Sequence, residues 1–167
     1  MEKKSPRVNV SKKGIRTLGI SESFIKRKAK KSILAGVVMR ADGIIDGFSL
    51  SSTTVGGKDA TERIISLYRC MKRGDINVVL LNGCVISWFN IIDLDGVYRK
   101  IKKPLICATY EASEGLEKYL KEYFRNDWKE RYEIYLKNGI RDEIELHTGK
   151  TIFARIFSQV TDKMGSS

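Results

Sequence analysis

The chain has 167 residues and a formal net charge of +11, from 31 Lys and Arg against 20 Asp and Glu. Its apolar content of 42% supports one buried core and excludes a disordered chain. No run of 18 apolar residues occurs, which excludes a helical membrane span. The three cysteines form no CxxC pair and the charged first residues lack the apolar segment of a secretion signal, so we expect a cytoplasmic protein without disulfides or structural zinc.

The positive charge is concentrated near the N-terminus. Residues 1–31 contain 11 Lys and Arg but only two Asp and Glu. A basic segment on a nearly neutral domain suits a polyanionic partner, because a cation that neutralises a phosphate releases bound counterions. The simpler alternative is a solvated terminus whose charges bind nothing.

The apolar pattern divides the chain into a basic lead-in over 1–13, a single domain over 14–157 and a short irregular tail over 158–167. Alternating and continuous apolar runs at the start of the domain predict a meander of three strands. The predicted strands cover 15–20, 32–40 and 44–50.

A helix is predicted over 60–73, because apolar residues there recur at helical spacing. Asp59, with Glu62 three residues later, has the form of a capping box at its start. A strand over 76–81, a helix over 90–102 and a strand over 105–109 follow, an order that implies parallel pairing with right-handed crossovers. The remaining pattern predicts two helices, beginning near 113 and 126, and a hairpin over 143–147 and 151–157.

We therefore predict an α/β fold with a mixed sheet of βββαβαβ order, helices on both faces, and a C-terminal helical pair and hairpin. The first, third and fourth strands of such a sheet end at one edge, where open α/β sheets bind ligands. This edge would collect Glu22, Asp59 and Asn82. Ribonuclease H-like nucleases hold divalent metals there with carboxylates, so Glu22 and Asp59 are candidate metal ligands and Asn82 a neutral one.

Candidate nucleic-acid-binding residues lie near the same edge. A basic cluster leaves the first strand there and is suitably placed to receive phosphates; it comprises Lys26, Arg27, Lys28, Lys30 and Lys31. Lys58 precedes Asp59, and Trp88 follows the Asn82-Gly83 turn, where its ring could stack on an exposed or flipped base. Core packing is the alternative role of Trp88.

Three segments resemble the archaeal endonuclease V-like family, which is also described as a deoxyuridine endonuclease family. They are GVVMR at 36–40, GKDATE at 57–62 and the stretch from Gly83 through WFNIID at 88–93. The likeness extends over about 15–157. It implies a ribonuclease H-like fold and cleavage of DNA near a deaminated base such as uracil; the sequence leaves RNA open as the nucleic-acid partner. It also implies a Mg²⁺ or Mn²⁺ cofactor and catalytic roles for Asp59, Glu22 and Asn82.

This sequence departs from the family pattern at two acidic positions. The G-I-D-D/E-G-P-F pattern reads GISESF at 19–24, so Ser21 replaces the leading acid and Glu22 follows it. The L-D-G pattern reads Leu81-Asn82-Gly83. A closing helix with a P-E-P-x-R-like tail finds no match after Phe157. Because strand side chains alternate between faces, the shift by one residue could aim Glu22 away from the site.

Three functions stay open on the sequence. The first is a metal-dependent endonuclease acting on deaminated DNA. Against it stands the alternative that Asp59 only caps a helix and Glu22 is a surface acid. The second is a nucleic-acid-binding relative that has lost catalysis. The third is a binding or scaffold protein without a nucleic-acid partner. DNA affinity that falls steeply with salt would separate the first two from the third.

Overall fold

The computed structural model describes Asn9, residues 11–112 and residues 115–158. The predicted lead-in over 1–13 and tail over 158–167 therefore lie mostly outside the described residues. The strands are β1 (Arg16–Ser23), β2 (Lys31–Arg40), β3 (Ile45–Thr54), β4 (Val78–Asn82), β5 (Val85–Ile86), β6 (Asn90–Ile91), β7 (Leu105–Thr109), β8 (Asp142–Glu145) and β9 (Thr151–Phe157). The helices are α1 (Ala60–Cys70), α2 (Leu94–Ile101), α3 (Leu116–Tyr123) and α4 (Trp128–Lys137).

Seven strands form one mixed sheet in the order β3-β2-β1-β4-β7-β9-β8. The meander β1–β3 pairs antiparallel, whereas β4 pairs parallel to both β1 and β7. The C-terminal hairpin extends the same sheet, since β9 pairs antiparallel to β7. The predicted mixed α/β fold is confirmed, and the ends of β1, β3 and β4 share one edge.

The core lies between the sheet and the first two helices. Ile64 and Leu67 of α1, with Val97 of α2, join the buried side chains of the strands in one cluster. Burying each of these aliphatic side chains contributes about 1.5–3 kcal/mol. Gly36 allows α1 to pack closely against β2, because a Cβ at this position would lie 2.7 Å from Leu67 Cδ2.

The opposite face of the sheet is apolar but open over β2 and β3. Phe48 is 74% exposed, Leu50 65% and Ile33 58%, and each pairs across the two strands with a residue of the same face. Within the part of the chain that the structure describes, no helix covers this region, so the expectation of helices on both faces is not met here. None of the described helices is long and apolar enough to cross a membrane.

The stretch predicted as a helix over 90–102 divides into two elements. Residues 85–91 form the two-stranded sheet β5–β6, and the helix begins only at Leu94. Asp93 sets this start, because its side chain accepts a hydrogen bond from the backbone N–H of Gly96 at 3.1 Å. The apolar spacing of the sequence did not distinguish the short strands from a first helical turn.

Candidate nucleic-acid interface

Ser21 and Asn82 meet where β1 and β4 end. Alternation along β1 buries Leu18 and Ile20 and turns Ser21 to the opposite, exposed face. Asn82 is the exposed last residue of β4, and its Nδ2 donates to Ser21 Oγ at 3.3 Å. These are the two positions at which an acid of the family pattern is missing, so a hydrogen bond between two neutral side chains joins them.

Glu22 lies on the other face of β1 from Ser21. Its Oε2 accepts a hydrogen bond from Ser32 Oγ at 2.9 Å and lies 3.5 Å from Ser87 Oγ. Glu22 and Asn82 still border a common small cleft, because Ser21, Glu22, Asn82 and Gly83 all line it beside apolar side chains of the core. The register question raised by the sequence is thus resolved: Glu22 turns toward β2 and the Ser87 loop, away from the hydroxyl of Ser21.

Asp59 joins β3 to the start of α1. Its carboxylate accepts from Thr53 Oγ1 at 2.7 Å, from the backbone N–H and hydroxyl of Thr54 at 3.0 Å each, and from Asn90 Nδ2 at 2.9 Å. Burial alone would raise the pKa of Asp59, but these hydrogen bonds outweigh it and hold the pKa well below its ordinary value. Asp59 therefore holds the turn between β3 and α1 as a hydrogen-bond acceptor that is ionised at neutral pH.

The predicted capping box at Asp59 and Glu62 is wrong. The Asp59 side chain makes no capping hydrogen bond to α1. The first helical N–H, that of Ala60, instead donates to Asn90 Oδ1 at 3.1 Å. Asn90 is fully buried and its Nδ2 also donates to Thr54 O at 2.9 Å. Asn90 therefore caps α1 from thirty residues further along the chain, and a local sequence pattern cannot predict a contact at that separation.

The residues expected to hold Mg²⁺ or Mn²⁺ do not fit such an ion in this arrangement. Both carboxylate oxygens of Asp59 already accept hydrogen bonds from protein donors, and Glu22 Oε2 is engaged by Ser32. Ser21 and Asn82 bring no charge. Among the described residues, no group of three or more His, Cys, Asp or Glu side chains could hold a metal, whereas hard divalent cations favour clustered carboxylates.

The loop between β5 and β6 carries Trp88 in an unusual backbone conformation. Ser87, Trp88 and Phe89 have φ angles of 47°, 62° and 60°. Three consecutive left-handed residues with side chains are unfavourable by about 1–2 kcal/mol each and persist only where the surroundings fix them. Trp88 is half-buried, with its ring centroid 5.5 Å from that of Phe89 and 5.1 Å from that of Tyr123.

Arg131 of α4 connects this loop to the glycines before Lys58. Its Nη1 donates to Gly57 O at 2.9 Å and to Phe89 O at 3.0 Å, and its Nη2 donates to Gly56 O at 2.9 Å. Its side chain is only 6% exposed. The sequence showed only an apolar stripe in this region, and a lone arginine among the charges of α4 gave no signal of this role.

The basic loop, residues 26–31, lies beside the same turn. Its link is the hydrogen bond from the backbone N–H of Val55 to Lys30 O, at 3.1 Å. Lys31 Nζ donates to Thr54 Oγ1 at 3.1 Å. The remaining cations of the loop are exposed and form no ion pair with any described residue; they are Lys26, Arg27, Lys28 and Lys30.

Lys58 differs from the basic loop because its charge is already paired. Its Nζ lies 3.0 Å from Glu130 Oε2 and 3.8 Å from Asp127 Oδ2. The predicted phosphate-binding residues therefore form two groups, an unpaired loop at 26–31 and a lysine held by α4. The structure brings the basic loop, Glu22, Asp59 and the Trp88 loop together through their connecting hydrogen bonds.

Comparison with known proteins places the chain among archaeal sequences. Residues 13–163 match the family described as endonuclease dU. A UPF0215 protein of Pyrobaculum calidifontis is 34% identical over 139 residues, covering 83% of this chain and 75% of the relative. A UPF0215 protein of Pyrococcus furiosus is 33% identical over 150 residues, covering 87% and 76%.

Solved structures show the same fold. A protein of unknown function from Archaeoglobus fulgidus superposes with a TM-score of 0.72 at 25% identity, over 89% of this chain and 80% of that one. Human ENDOV superposes with a TM-score of 0.51 at 10% identity, over 85% of this chain and 69% of that one. At this low identity the second likeness concerns the fold alone.

Proposed function

This chain belongs to the endonuclease dU family and has an endonuclease V-like fold, and on that premise we propose that it binds DNA at a deaminated base such as uracil, without a resident metal ion. The strand edge around Asn82, the basic loop and the Trp88 loop form the binding surface. The family name supplies the substrate class. The side chains at this edge supply the reason to favour binding over cleavage.

The basic loop supports a contact with the DNA backbone. Lys26, Lys28 and Lys30 are exposed without an ion pair among the described residues, on a loop fastened to the end of β3. Unpaired lysines gain by binding phosphates, because each contact releases condensed counterions. Lys58 contributes less, since Glu130 and Asp127 already neutralise it.

The Trp88 loop supports a contact with a base. Trp88 follows Ser87, whose Oγ lies 3.5 Å from Glu22 Oε2, and its indole ring packs beside Gly56 in the turn after β3. Aromatic rings bind unstacked bases by stacking, which contributes about 1–3 kcal/mol per base. A deaminated or mismatched base unstacks at lower cost than a paired one.

The single observation that favours binding without cleavage is the contact between Ser21 and Asn82. Two neutral side chains share a hydrogen bond at the positions of the two expected acids. Exchanging two carboxylates for a hydroxyl and an amide lowers the negative charge available to a divalent ion at this edge. The loss of both acids at one place agrees with a family member that recognises DNA but does not cut it.

Metal-dependent cleavage by Asp59, Glu22 and Asn82 is the second candidate. The observation in its favour is that Glu22 contacts Ser32 and Asp59 contacts Thr53, two residues directly opposite each other in β2 and β3. The two carboxylates thus approach the same part of the sheet. Cleavage would require them to exchange these hydroxyl partners for Mg²⁺ or Mn²⁺.

A cleavage assay separates the two candidates. A uracil-containing duplex and an undamaged duplex of the same sequence are incubated with the protein and Mg²⁺ or Mn²⁺, beside the isosteric variant Glu22→Gln. We expect both duplexes to stay intact while the uracil duplex is bound. Metal-dependent cutting of the uracil strand that is lost in Glu22→Gln would instead establish the nuclease.

A further inference from the structure

Arg131 is a buried cation that donates three of its four hydrogen bonds to backbone carbonyls. It donates to the carbonyl oxygens of Gly56, Gly57 and Phe89. Its Nε donates to Asp127 Oδ2 at 3.0 Å, and its guanidinium lies 3.9 Å from the centroid of the Phe124 ring. One planar group therefore fixes two loops and is itself fixed from two sides, an arrangement suited to the fork of Arg and not to the point charge of Lys.

The loop that Arg131 holds needs external support. Ser87, Trp88 and Phe89 all adopt left-handed backbone conformations, which side chains beyond glycine disfavour. At one end of this segment, Ser87 O accepts from the backbone N–H of Gly56 at 2.7 Å. At the other end, Phe89 O accepts from Arg131 at 3.0 Å.

The two loops fit each other at Trp88. A Cβ added to Gly56 would lie 3.4 Å from Trp88 Cδ1, and Gly56 has a φ of 69°. The glycine therefore allows the left-handed turn, and the indole ring packs directly beside it. By holding Gly56 O and Phe89 O at once, Arg131 sets the position of the indole relative to the strand edge.

We propose that Arg131 is a positioning residue for base recognition: it fixes Trp88 as a stacking platform for an unpaired base in bound DNA. This inference rests on the proposed DNA binding and assigns its base preference to two residues on different elements. In this proposal the basic loop provides affinity for the DNA backbone. Trp88, held in position by Arg131, provides the preference for an unpaired base. The ligand class is an unstacked nucleobase, read by its π-face.

The test compares affinities for two duplexes of one sequence, one fully paired and one with a single mismatched uracil. Measurements use a Trp128→Phe background, in which Trp88 is the remaining tryptophan and reports stacking by fluorescence quenching. We expect Arg131→Lys to lower the preference for the mismatched duplex about tenfold and to remove the quenching. Affinity for the paired duplex and its salt dependence should change less than twofold. Arg99→Lys, an exchange of the same kind on the exposed face of α2, should change neither.

A folded Arg131→Lys protein that keeps both the preference and the quenching would overturn the inference. Trp88→Leu tests it independently of the fold of the Arg131 variant: its preference should fall by the same factor, and an unchanged preference overturns the stacking platform. A different result would contradict the proposed function itself, namely that the parent protein binds neither duplex. A role of Arg131 in stability alone would weaken binding to both duplexes equally, which also contradicts the proposal.

Discussion

Asn82 Nδ2 donates to Ser21 Oγ at 3.3 Å, and this contact joins the ends of two parallel strands at the edge where open α/β sheets generally bind ligands. Neither a serine nor an asparagine is unusual at a strand end when it is considered alone. Together they replace a pair of expected carboxylates by a neutral pair, which removes the electrostatic basis for a divalent ion at this position. The account of DNA binding without a resident metal depends on this relationship.

Restoring the two acids should restore metal affinity. The double variant Ser21→Asp and Asn82→Asp places two carboxylates at the strand ends, and we expect saturable Mn²⁺ binding by calorimetry, with none in the parent protein. Ser49→Asp with Leu50→Asp adds the same charge on β3, away from the edge, and should bind no Mn²⁺. Stoichiometric Mn²⁺ binding by the parent protein that disappears in Glu22→Gln would contradict this prediction.

Asp59 should make the fold sensitive to acid. Its pKa is lowered in the folded protein, so its ionised form stabilises the fold above the unfolded pKa of about 3.9, and that stability is lost as the pH falls through the unfolded value toward the folded one. Asp59→Asn should therefore be less stable at pH 7, by about 1–3 kcal/mol, and should lose less stability between pH 5 and pH 3, as followed by urea unfolding.

Glu62→Gln is the matched control for Asp59, because the sequence places both acids in one capping box. The structure gives neither side chain a capping hydrogen bond to α1. The urea midpoint of Glu62→Gln should stay close to that of the parent protein at both pH values. A loss of stability equal to that of Asp59→Asn would indicate that Glu62 does form a capping box with Asp59.

The basic loop should account for the salt dependence of DNA binding. Replacing Lys26, Lys28 and Lys30 by Gln should weaken binding to any duplex and reduce the slope of log affinity against log salt by about 2 to 3, since each phosphate contact contributes about 0.9. Replacing Lys72, Lys100 and Lys102 by Gln, at exposed positions near the C-terminal ends of α1 and α2, removes the same charge. Equal effects of the two triple variants would show that net charge, not the loop, binds the DNA.

Asn90 should be a major determinant of stability. It is fully buried and hydrogen-bonds Thr53, Asp59 and the first N–H of α1. Asn90→Ala leaves the buried N–H of Ala60 without its acceptor and removes one hydrogen bond each from Thr53 and Asp59, and we expect a loss of about 2–4 kcal/mol in the free energy of unfolding. Asn126→Ala, at an exposed position before α4, should lose less than about 0.5 kcal/mol.

The order of elements could be predicted from the sequence because each element carries its own apolar period. Alternation along β1 and helical spacing in α1 are local, and so is the turn signal at Asp42-Gly43. The position of β9 beside β7 was not predicted, because a hairpin pattern does not state which strand the hairpin joins. The open apolar face over Phe48 and Leu50 was missed for the same reason, since exposure depends on what packs above the sheet.

The candidate site was predicted in outline and missed in its contacts. The sequence brought Glu22, Asp59 and Asn82 to one edge, but it could not tell on which face Glu22 turns or that Asp59 is saturated by hydrogen bonds. Asn90 and Arg131 act across 30 and 42 residues of chain, to Ala60 and to Phe89. Such contacts follow from the packing of α1 and α4, which no local pattern specifies.

The most direct test of the account is the affinity of the protein for a uracil-containing duplex in excess chelator, measured by fluorescence anisotropy beside an undamaged duplex of equal length. We predict saturable, salt-dependent binding that favours the uracil duplex and does not change when Mg²⁺ or Mn²⁺ replaces the chelator. Binding that appears only with the metal ion, or no binding to either duplex at low salt, would contradict the account.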